Sequence, residues 1–280
     1  MENILKKSKL AFIGCGVMAE SMIKGLLDKK LVGPTQISAS HPRAERREEL
    51  KNEYSINVFE GNGNAVSEAC SEDDAVVLLC VKPQRLNRVL KDIAGCVSKH
   101  AVVISIVAGA TSEAISNALG TEKVVRCMPN TPSQIGRGMA VWTCTDSVTD
   151  GEQEKVKTLL SALGREMHVE NEHMIDMATS LSATGPTYTF LVMEALTDAG
   201  VHLGFSREMS KELVQETMLG AVLFAMDSHL HPAELRNMVT SPGGTSADAI
   251  YQMEKGGLRT VLSKAVYSAY KRAVELGKEE

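Results

Sequence analysis

Over the first 165 residues, short apolar runs alternate with stretches of helical periodicity. "KLAFIG" (9–14) and "QISAS" (36–40) read as strands. "AVVLLCV" (75–81), "AVVISIV" (101–107) and "KVVRCM" (123–128) read as further strands, the first of these as the fourth and the last as the sixth. The run 75–81 is apolar without a break, as expected of a strand covered on both faces of a parallel sheet. Between the strands, "VMAESMIKGLLDKK" (17–30) puts Met18, Met22 and Leu26 on one helical face, and "RAERREELKNEY" (43–54) is a charged helix. This alternation predicts a doubly wound, mostly parallel α/β domain with right-handed crossovers over residues 1–165. Trp142, in "MAVWTC", is expected to pack in its last strand.

From about residue 166 the pattern is helical, with no further strand. "PTYTFLVMEALTDAGVHLG" (186–204) is apolar on nearly every face, the mark of a helix buried in a core or against another chain. "SREMSKELVQETMLGAVLFAMDSH" (206–229) begins with Ser206 as N-cap and Glu208 in its first turn. "GGTSADAIYQMEKGG" (243–257) is a helix with a glycine stop, and 258–280 is a terminal amphipathic helix with a charged, frayed tail. Residues 166–280 are therefore expected to form an all-α domain. It carries more apolar surface than a domain of its size can cover, which an obligate dimer would bury.

Composition narrows the class. Hydrophobic residues make up 44% and charged residues 23%, values of a soluble globular chain. A net charge of −5 with interspersed signs gives no footprint for a nucleic-acid partner. No apolar run reaches the ~18 residues of a membrane span, and the start "MENILKKSK" lacks an apolar signal core, so a cytoplasmic protein is expected. The six cysteines are scattered with no CxxC pair, and read as reduced, mostly buried thiols with no metal site.

Gly14-x-Gly16-x-x-Ala19 follows the first strand and opens a helix. In that setting the first glycine permits a tight turn and the second admits a pyrophosphate to the backbone. Ala19 lets helix and strand pack closely. A dinucleotide cofactor follows. An NAD site commonly ends its second strand with an acid for the ribose 2′-hydroxyl. Here Ser40 stands in that place and Arg43 follows, a combination that favours a 2′-phosphate. NADPH is expected over NADH, with NADH possible; Arg46 and Arg47 read as a solvated helix face. Residues 241–246, "SPGGTS", admit two readings: a helix–helix turn whose Ser241 or Ser246 is an N-cap, or a nest of backbone N–H groups that holds an anion. His229 and His231, before Pro232, read as cap or dipole residues, His173 and His202 as surface or interface residues, and the fourteen methionines as core filler.

"CVKPQ" (80–84), "RCMPNTP" (126–132), "LSATGPTYTFLVMEALTDAGVHLG" (181–204) and "HPAELRNMVTSPGGTS" (231–246) complete a pattern that spans almost the whole chain. In it the chain resembles the pyrroline-5-carboxylate reductases. The resemblance implies NAD(P)H-dependent reduction of 1-pyrroline-5-carboxylate to L-proline, the last step of proline synthesis. It implies an N-terminal Rossmann domain (1–165) and a C-terminal helical substrate and dimerisation domain (166–280). Two helical domains would intertwine, with dimers assembling further and the active site lying against the partner's helical domain. Ile13, Gly14, Cys15, Gly16, Val17 and Met18 would cradle the pyrophosphate, and Ser40, Arg43 and Asn64 the adenosine ribose. Val81, Lys82 and Pro83, with Val107, Ala108 and Gly109, would line the cofactor groove, and Met128, Pro129 and Asn130 would lie near the nicotinamide. Lys82 reads as a positioning residue, not an acid. Ser241, Gly243, Gly244, Thr245 and Ser246 become the substrate clamp, with Ser246 the catalytic hydroxyl. The chain departs from the family's usual Gly-Ser-Gly-Pro-Ala-Tyr at Ala183–Tyr188, and carries Ser246 where the family has Thr.

The implied substrate is a cyclic imine bearing a carboxylate. Its reduction needs the ring held against the nicotinamide and the carboxylate fixed without an excess of positive charge, which would disfavour the iminium. Backbone N–H groups at Gly243 and Gly244 meet the second need, and Ser246 Oγ is placed to bond the ring nitrogen. Two other readings compete. One is a related two-domain Rossmann reductase of another imine or of a hydroxy acid; members of the β-hydroxyacid dehydrogenase group would be expected to carry a catalytic lysine on the first long helix of the second domain, and 186–204 contains none. The other is a non-catalytic NADP-binding regulatory protein, against which the retained glycines and hydroxyl of 241–246 count.

Overall fold

The structure is a computed structural model and describes residues 3–277, so the end of the charged tail lies outside the described residues. In chain order β1 (Lys9–Ile13), α1 (Val17–Asp28), β2 (Ile37–Ser40), α2 (Ala44–Tyr54), β3 (Asn57–Phe59), α3 (Asn62–Ala69), β4 (Ala75–Leu79) and α4 (Leu86–Ile93) alternate. Then follow β5 (Val102–Ser105), α5 (Ser112–Leu119), β6 (Val124–Met128), β7 (Gly138–Cys144), α6 (Asp150–Leu160) and β8 (Gly164–His168). They build one eight-stranded sheet in the order β3-β2-β1-β4-β5-β6-β7-β8. Neighbours through β6 are parallel, β7 is antiparallel to β6, and β8 is parallel to β7. The chain changes direction across the sheet between β1 and β4, and the crevice beyond the carboxyl ends of such a pair is where open α/β sheets bind ligands.

The unbroken apolar runs explain the layers. Successive residues point to opposite faces, so Leu10, Phe12, Val76, Leu78, Val102 and Ile104 fill one core while Ala11, Ile13, Val77, Leu79 and Val103 fill the other. All five residues of β4 are buried. Amphipathic helices close both layers; α4 buries Leu86, Val89, Leu90 and Ile93. One expectation is corrected. The sheet does not end with the strand that holds Trp142: β8 follows it, "GREMH", a short polar strand with no apolar signature. Trp142 itself is fully buried, and its Nε1–H donates to Glu166 Oε2 of β8 at 2.5 Å.

The rest is helical: α7 (His173–Ala178), a π-helical turn (Thr179–Ala183), α8 (Gly185–His202), α9 (Arg207–Asp227), α10 (Pro232–Met238), α11 (Thr245–Lys255) and α12 (Leu258–Leu276). The chain divides into two compact units. One runs through Thr184 and resumes at Ala269; the other is Gly185–Ser268. In the second unit Ser206 caps α9 by accepting from Met209 N–H at 3.2 Å. His231 caps α10, its Nδ1 accepting from Ala233 N–H at 3.2 Å while its own N–H donates to Glu234 Oε2 at 2.9 Å. Gly200 admits the close approach of α9, since a Cβ there would lie 2.7 Å from Ser210 Oγ. No residue of α8, α10 or α11 is buried. Phe190, Leu191 and Phe224 are 60%, 65% and 52% exposed. The single chain leaves its apolar helical faces in solvent.

Candidate active site: the glycine loop, its neighbours and the 241–246 turn

The loop after β1 is fixed by its backbone. Gly14 has φ of +82°, and a Cβ there would overlap Val81 Cγ1 and lie 3.3 Å from the Cys80 carbonyl oxygen. Only glycine meets both demands. Cys15 N–H donates to the Ser40 carbonyl at 2.9 Å, Gly16 N–H to Gly14 at 2.7 Å and Cys80 N–H to Ile13 at 2.9 Å. Gly16 is the N-cap of α1, no side chain caps that helix, and a Cβ on Gly16 would meet nothing within 4 Å. The N–H groups of the first turn therefore face open space, which suits a pyrophosphate. Val17 is 62% exposed at this mouth and Met18 half-buried, while Ile13 and Cys15 are fully buried and offer only backbone. Burial pushes the Cys15 thiol up to about 12 and raises Cys80 and Cys127 as well, so these thiols are inert.

At the end of β2 the structure corrects the sequence reading. Ser40 is fully buried; its hydroxyl donates to Asn62 Oδ1 at 2.8 Å and accepts from Gly14 N–H at 3.3 Å. It braces the glycine loop, and its oxygen is not displayed to a ribose. Nor are Arg46 and Arg47 a solvated face. Arg46 pairs with Glu20 and, at 3.0 Å, with Glu49. Arg47 pairs with Glu60 at 3.1 Å and donates to the carbonyls of His41 and Pro42 at 2.9 Å each. Arg43, the N-cap of α2, is exposed, and its guanidinium makes no hydrogen bond or ion pair among the described residues. Asn64 is exposed near the start of α3.

The loops after β4, β5 and β6 complete the carboxyl edge. Val81 packs on Gly14, exposed Lys82 precedes a tight helical turn, and Pro83 starts it. Val107 is buried and Ala108 half-buried. Gly109, with φ of +82°, is buried under the end of α12: a Cβ there would lie 2.8 Å from the Leu276 carbonyl carbon and 3.0 Å from Gly277 N. Met128 and Pro129 are buried. Asn130 is a brace: its Oδ1 accepts from Met139 N–H at 2.9 Å, and its Nδ2 reaches Ser182 O and Oγ, both at 3.4 Å, in the π-helical turn. Beneath it, buried Arg126 pairs with Asp176 at 2.5 Å and with Glu172 at 3.3 Å. Glu172 Oε1 in turn accepts from Ser112 N–H at 2.7 Å, which ties α5 and α7 to β6. Asn62, Ser182 and this acidic pair were not anticipated; a lone buried cation in β6 was their one sequence signal.

In the second unit, 241–246 is a type II turn leading into α11. Pro242 is at its first central position, Gly243 at the second with φ of +69°, and Gly244 N–H donates to the Ser241 carbonyl at 3.0 Å. Gly244 is the N-cap, and a Cβ there would fall 2.5 Å from Ser241 Oγ. Neither Ser241 nor Ser246 caps the helix. Thr245 opens α11 and is exposed; Ser246, half-buried in its first turn, makes no hydrogen bond through its hydroxyl among the described residues.

Comparison with known proteins decides the family. A family model described as pyrroline-5-carboxylate reductase dimerisation matches residues 172–276, and one described as NADP oxidoreductase, coenzyme F420-dependent, matches 9–109. The pyrroline-5-carboxylate reductase of Pseudomonas aeruginosa is 39% identical over 97% of both chains. The chain belongs to the pyrroline-5-carboxylate reductase family. The Synechocystis reductase is 37% identical over 97% of this chain and 99% of its own. Among solved structures, a pyrroline-5-carboxylate reductase from Coxiella burnetii superposes with a TM-score of 0.86 at 32% identity, covering 97% of this chain and 99% of the other. One from Plasmodium falciparum with NADP bound gives 0.87 at 28% identity, with the same coverage. A prephenate dehydrogenase from Aquifex aeolicus, at 16% identity and 0.54, shares the fold alone.

Proposed function

We propose that this pyrroline-5-carboxylate reductase family member reduces 1-pyrroline-5-carboxylate to L-proline with NADPH, NADH serving as a weaker alternative, as the closing step of proline biosynthesis. The observation that carries the reading is the turn at 241–246: an uncapped start of α11, two glycines and an unbonded, half-buried Ser246 hydroxyl. NADPH, when bound, supplies the hydride.

The first-turn N–H groups from Gly16 onward hold the pyrophosphate, with Gly14 setting their direction and Val17 and Met18 at the mouth. Arg43 and Asn64 meet the adenosine end, and Ser40 acts from beneath through Gly14. Val81, Lys82, Pro83, Val107, Ala108 and Gly109 shape the groove. Met128 and Pro129 wall its far end, and Asn130 fixes that wall. The N–H groups around Gly243, Gly244 and Thr245 bind the substrate carboxylate with partial charges, which leaves the iminium form undisturbed. Ser241 fixes the turn. Ser246 Oγ bonds the ring nitrogen and orients the imine carbon, an interaction worth about 1 kcal/mol net and more toward a charged nitrogen. Lys82 positions the groove and donates no proton.

The same reading assigns 1–165 to cofactor binding and 166–280 to substrate binding and self-association. The exposed apolar faces of α8 and α9 support a dimer built through the helical unit, with higher assembly open to it. A cytoplasmic setting is part of the proposal; the six unpaired cysteines support it. No described helix is long and apolar enough to cross a membrane. Monitoring NADPH oxidation with 1-pyrroline-5-carboxylate against hydroxy acids tests the activity: turnover with the imine alone is expected, and none with any substrate refutes it. Ser246→Ala should lower kcat/KM while melting as wild type does, and wild-type kinetics would remove Ser246 from the mechanism.

A further inference from the structure

We propose that His41, through its Nε2–H, is the side chain with which this protein selects a 2′-phosphorylated dinucleotide. This rests on the nucleotide-loop reading above and assigns a residue that the family resemblance does not. The place beside the ribose 2′ position belongs to the last side chain of β2 or the first one after it. Ser40 is withdrawn from it, buried and bonded to Asn62 and Gly14. His41 comes next, half-buried, and every backbone bond around it is fixed. Its N–H donates to the Phe59 carbonyl of β3 at 3.1 Å, and its carbonyl accepts from Arg47 at 2.9 Å.

The ring is oriented as well. Its Nδ1 lies 3.2 Å from the backbone nitrogen of Arg43 and accepts that N–H. A backbone amide can only donate, so Nδ1 is unprotonated and the neutral ring carries its hydrogen on Nε2. No group among the described residues accepts that hydrogen. Burial, together with the charges of Arg43, Arg46 and Arg47, holds the ring below the usual histidine range, which favours the neutral ring whose Nδ1 can accept. Of the charged groups here, Arg46 and Arg47 are spent on Glu20, Glu49 and Glu60, while Glu45 lies exposed in the first turn of α2. That leaves a neutral donor, His41 Nε2–H, and a free guanidinium, Arg43, at the strand end. A phosphate dianion accepts from both through separate oxygens and balances the guanidinium's charge; a neutral hydroxyl leaves that charge unpaired.

The test uses variants that keep the turn. An asparagine or aspartate accepts an N–H two residues on, as an Asx-turn does, so His41→Asn and His41→Asp retain the Arg43 N–H bond and remove the donor at the Nε2 place. Calorimetry with 2′,5′-ADP and 5′-AMP needs no turnover. The affinity ratio of 2′,5′-ADP to 5′-AMP should fall about tenfold in H41N and fall further in H41D, with the kcat/KM ratio of NADPH to NADH following through KM. A ratio unchanged in both variants, or an equal loss on both fragments, overturns the proposal and leaves His41 a structural cap. If the fragment ratio shifts in a protein that turns over no imine, the proposed activity fails and this assignment stands.

Discussion

The two glycines of the nucleotide loop separate folding from binding. Gly14 has φ of +82°, and any Cβ there overlaps Val81 Cγ1. The left-handed backbone costs a non-glycine residue about 1–2 kcal/mol, and forcing a methyl into a packed site costs a further ~1–3 kcal/mol. Gly14→Ala should therefore cost about 2–5 kcal/mol, a large share of the ~5–15 kcal/mol that holds a domain together. At about 2–4 °C per kcal/mol for a unit of this size, its melting midpoint should drop by roughly 5–15 °C. Gly16 has φ of −85° and ψ of −165°, which alanine adopts, and its Cβ would meet nothing within 4 Å. Gly16→Ala should lose only part of an N-cap preference, under about 1 kcal/mol, yet its methyl enters the space the pyrophosphate needs. Scanning fluorimetry without cofactor and NADPH titration, run on both variants, read the two effects apart. Gly14→Ala should melt early; Gly16→Ala should melt within a few degrees of wild type and bind NADPH at least tenfold more weakly. A Gly14→Ala protein that melts with wild type, or a Gly16→Ala protein that binds NADPH normally, refutes this account of the loop.

Arg126→Met leaves Asp176 and Glu172 without their partner beneath the groove. Breaking such a pair costs about 3–5 kcal/mol, so the variant should melt roughly 10 °C lower, and an unchanged midpoint would show the network idle. Arg43→Ala removes a guanidinium that makes no ion pair among the described residues; on the proposed site it should weaken NADPH binding several-fold, read by direct titration, and unaltered affinity would exclude Arg43 from that site. Burial alone would raise Glu152, but the hydrogen bonds from Lys123 and Thr149 hold it below the usual 4.5. Its contribution is present above that pH and lost as pH falls through the lower folded value, so unfolding free energy should decline on acidification below about 4.5. Lys123→Met should flatten that decline, and parallel acid curves for both proteins would count against the pair.

What the sequence made legible follows from where its information is local. β4 is an unbroken apolar run, and β1, β5 and β6 are apolar but for Lys9, Ser105 and Arg126, because both faces of their sheet are covered; Gly14 is legible because a turn at that point admits nothing else. β8 was not: an edge strand with three of its five residues exposed and none buried has no apolar period to show. The bracing side chains failed for another reason. Ser40 meets Asn62 across 22 positions and Asn130 meets Ser182 across 52, distances that only the topology closes. At the end of β2, Ser40 sits in the strand and looks inward while His41 has just left it, a one-position difference that the strand's pattern does not reveal. Arg46 and Arg47 look like solvent-facing charges in a polar helix until Glu20 arrives from α1 and Glu60 from the bend after β3.

The seating of α12 on Gly109 bears on the order in which the protein is made. A ribosome delivers the groove loop early and releases Leu276 and Gly277, which cover it, only after all of Gly185–Ser268 has emerged. The nucleotide-binding half is thus finished last, although its strands are synthesised first. A nascent chain halted at Thr184 would hold every strand of the sheet and still lack the piece that closes over Gly109. Closure over Gly109 therefore waits on synthesis of the segment that follows the sheet.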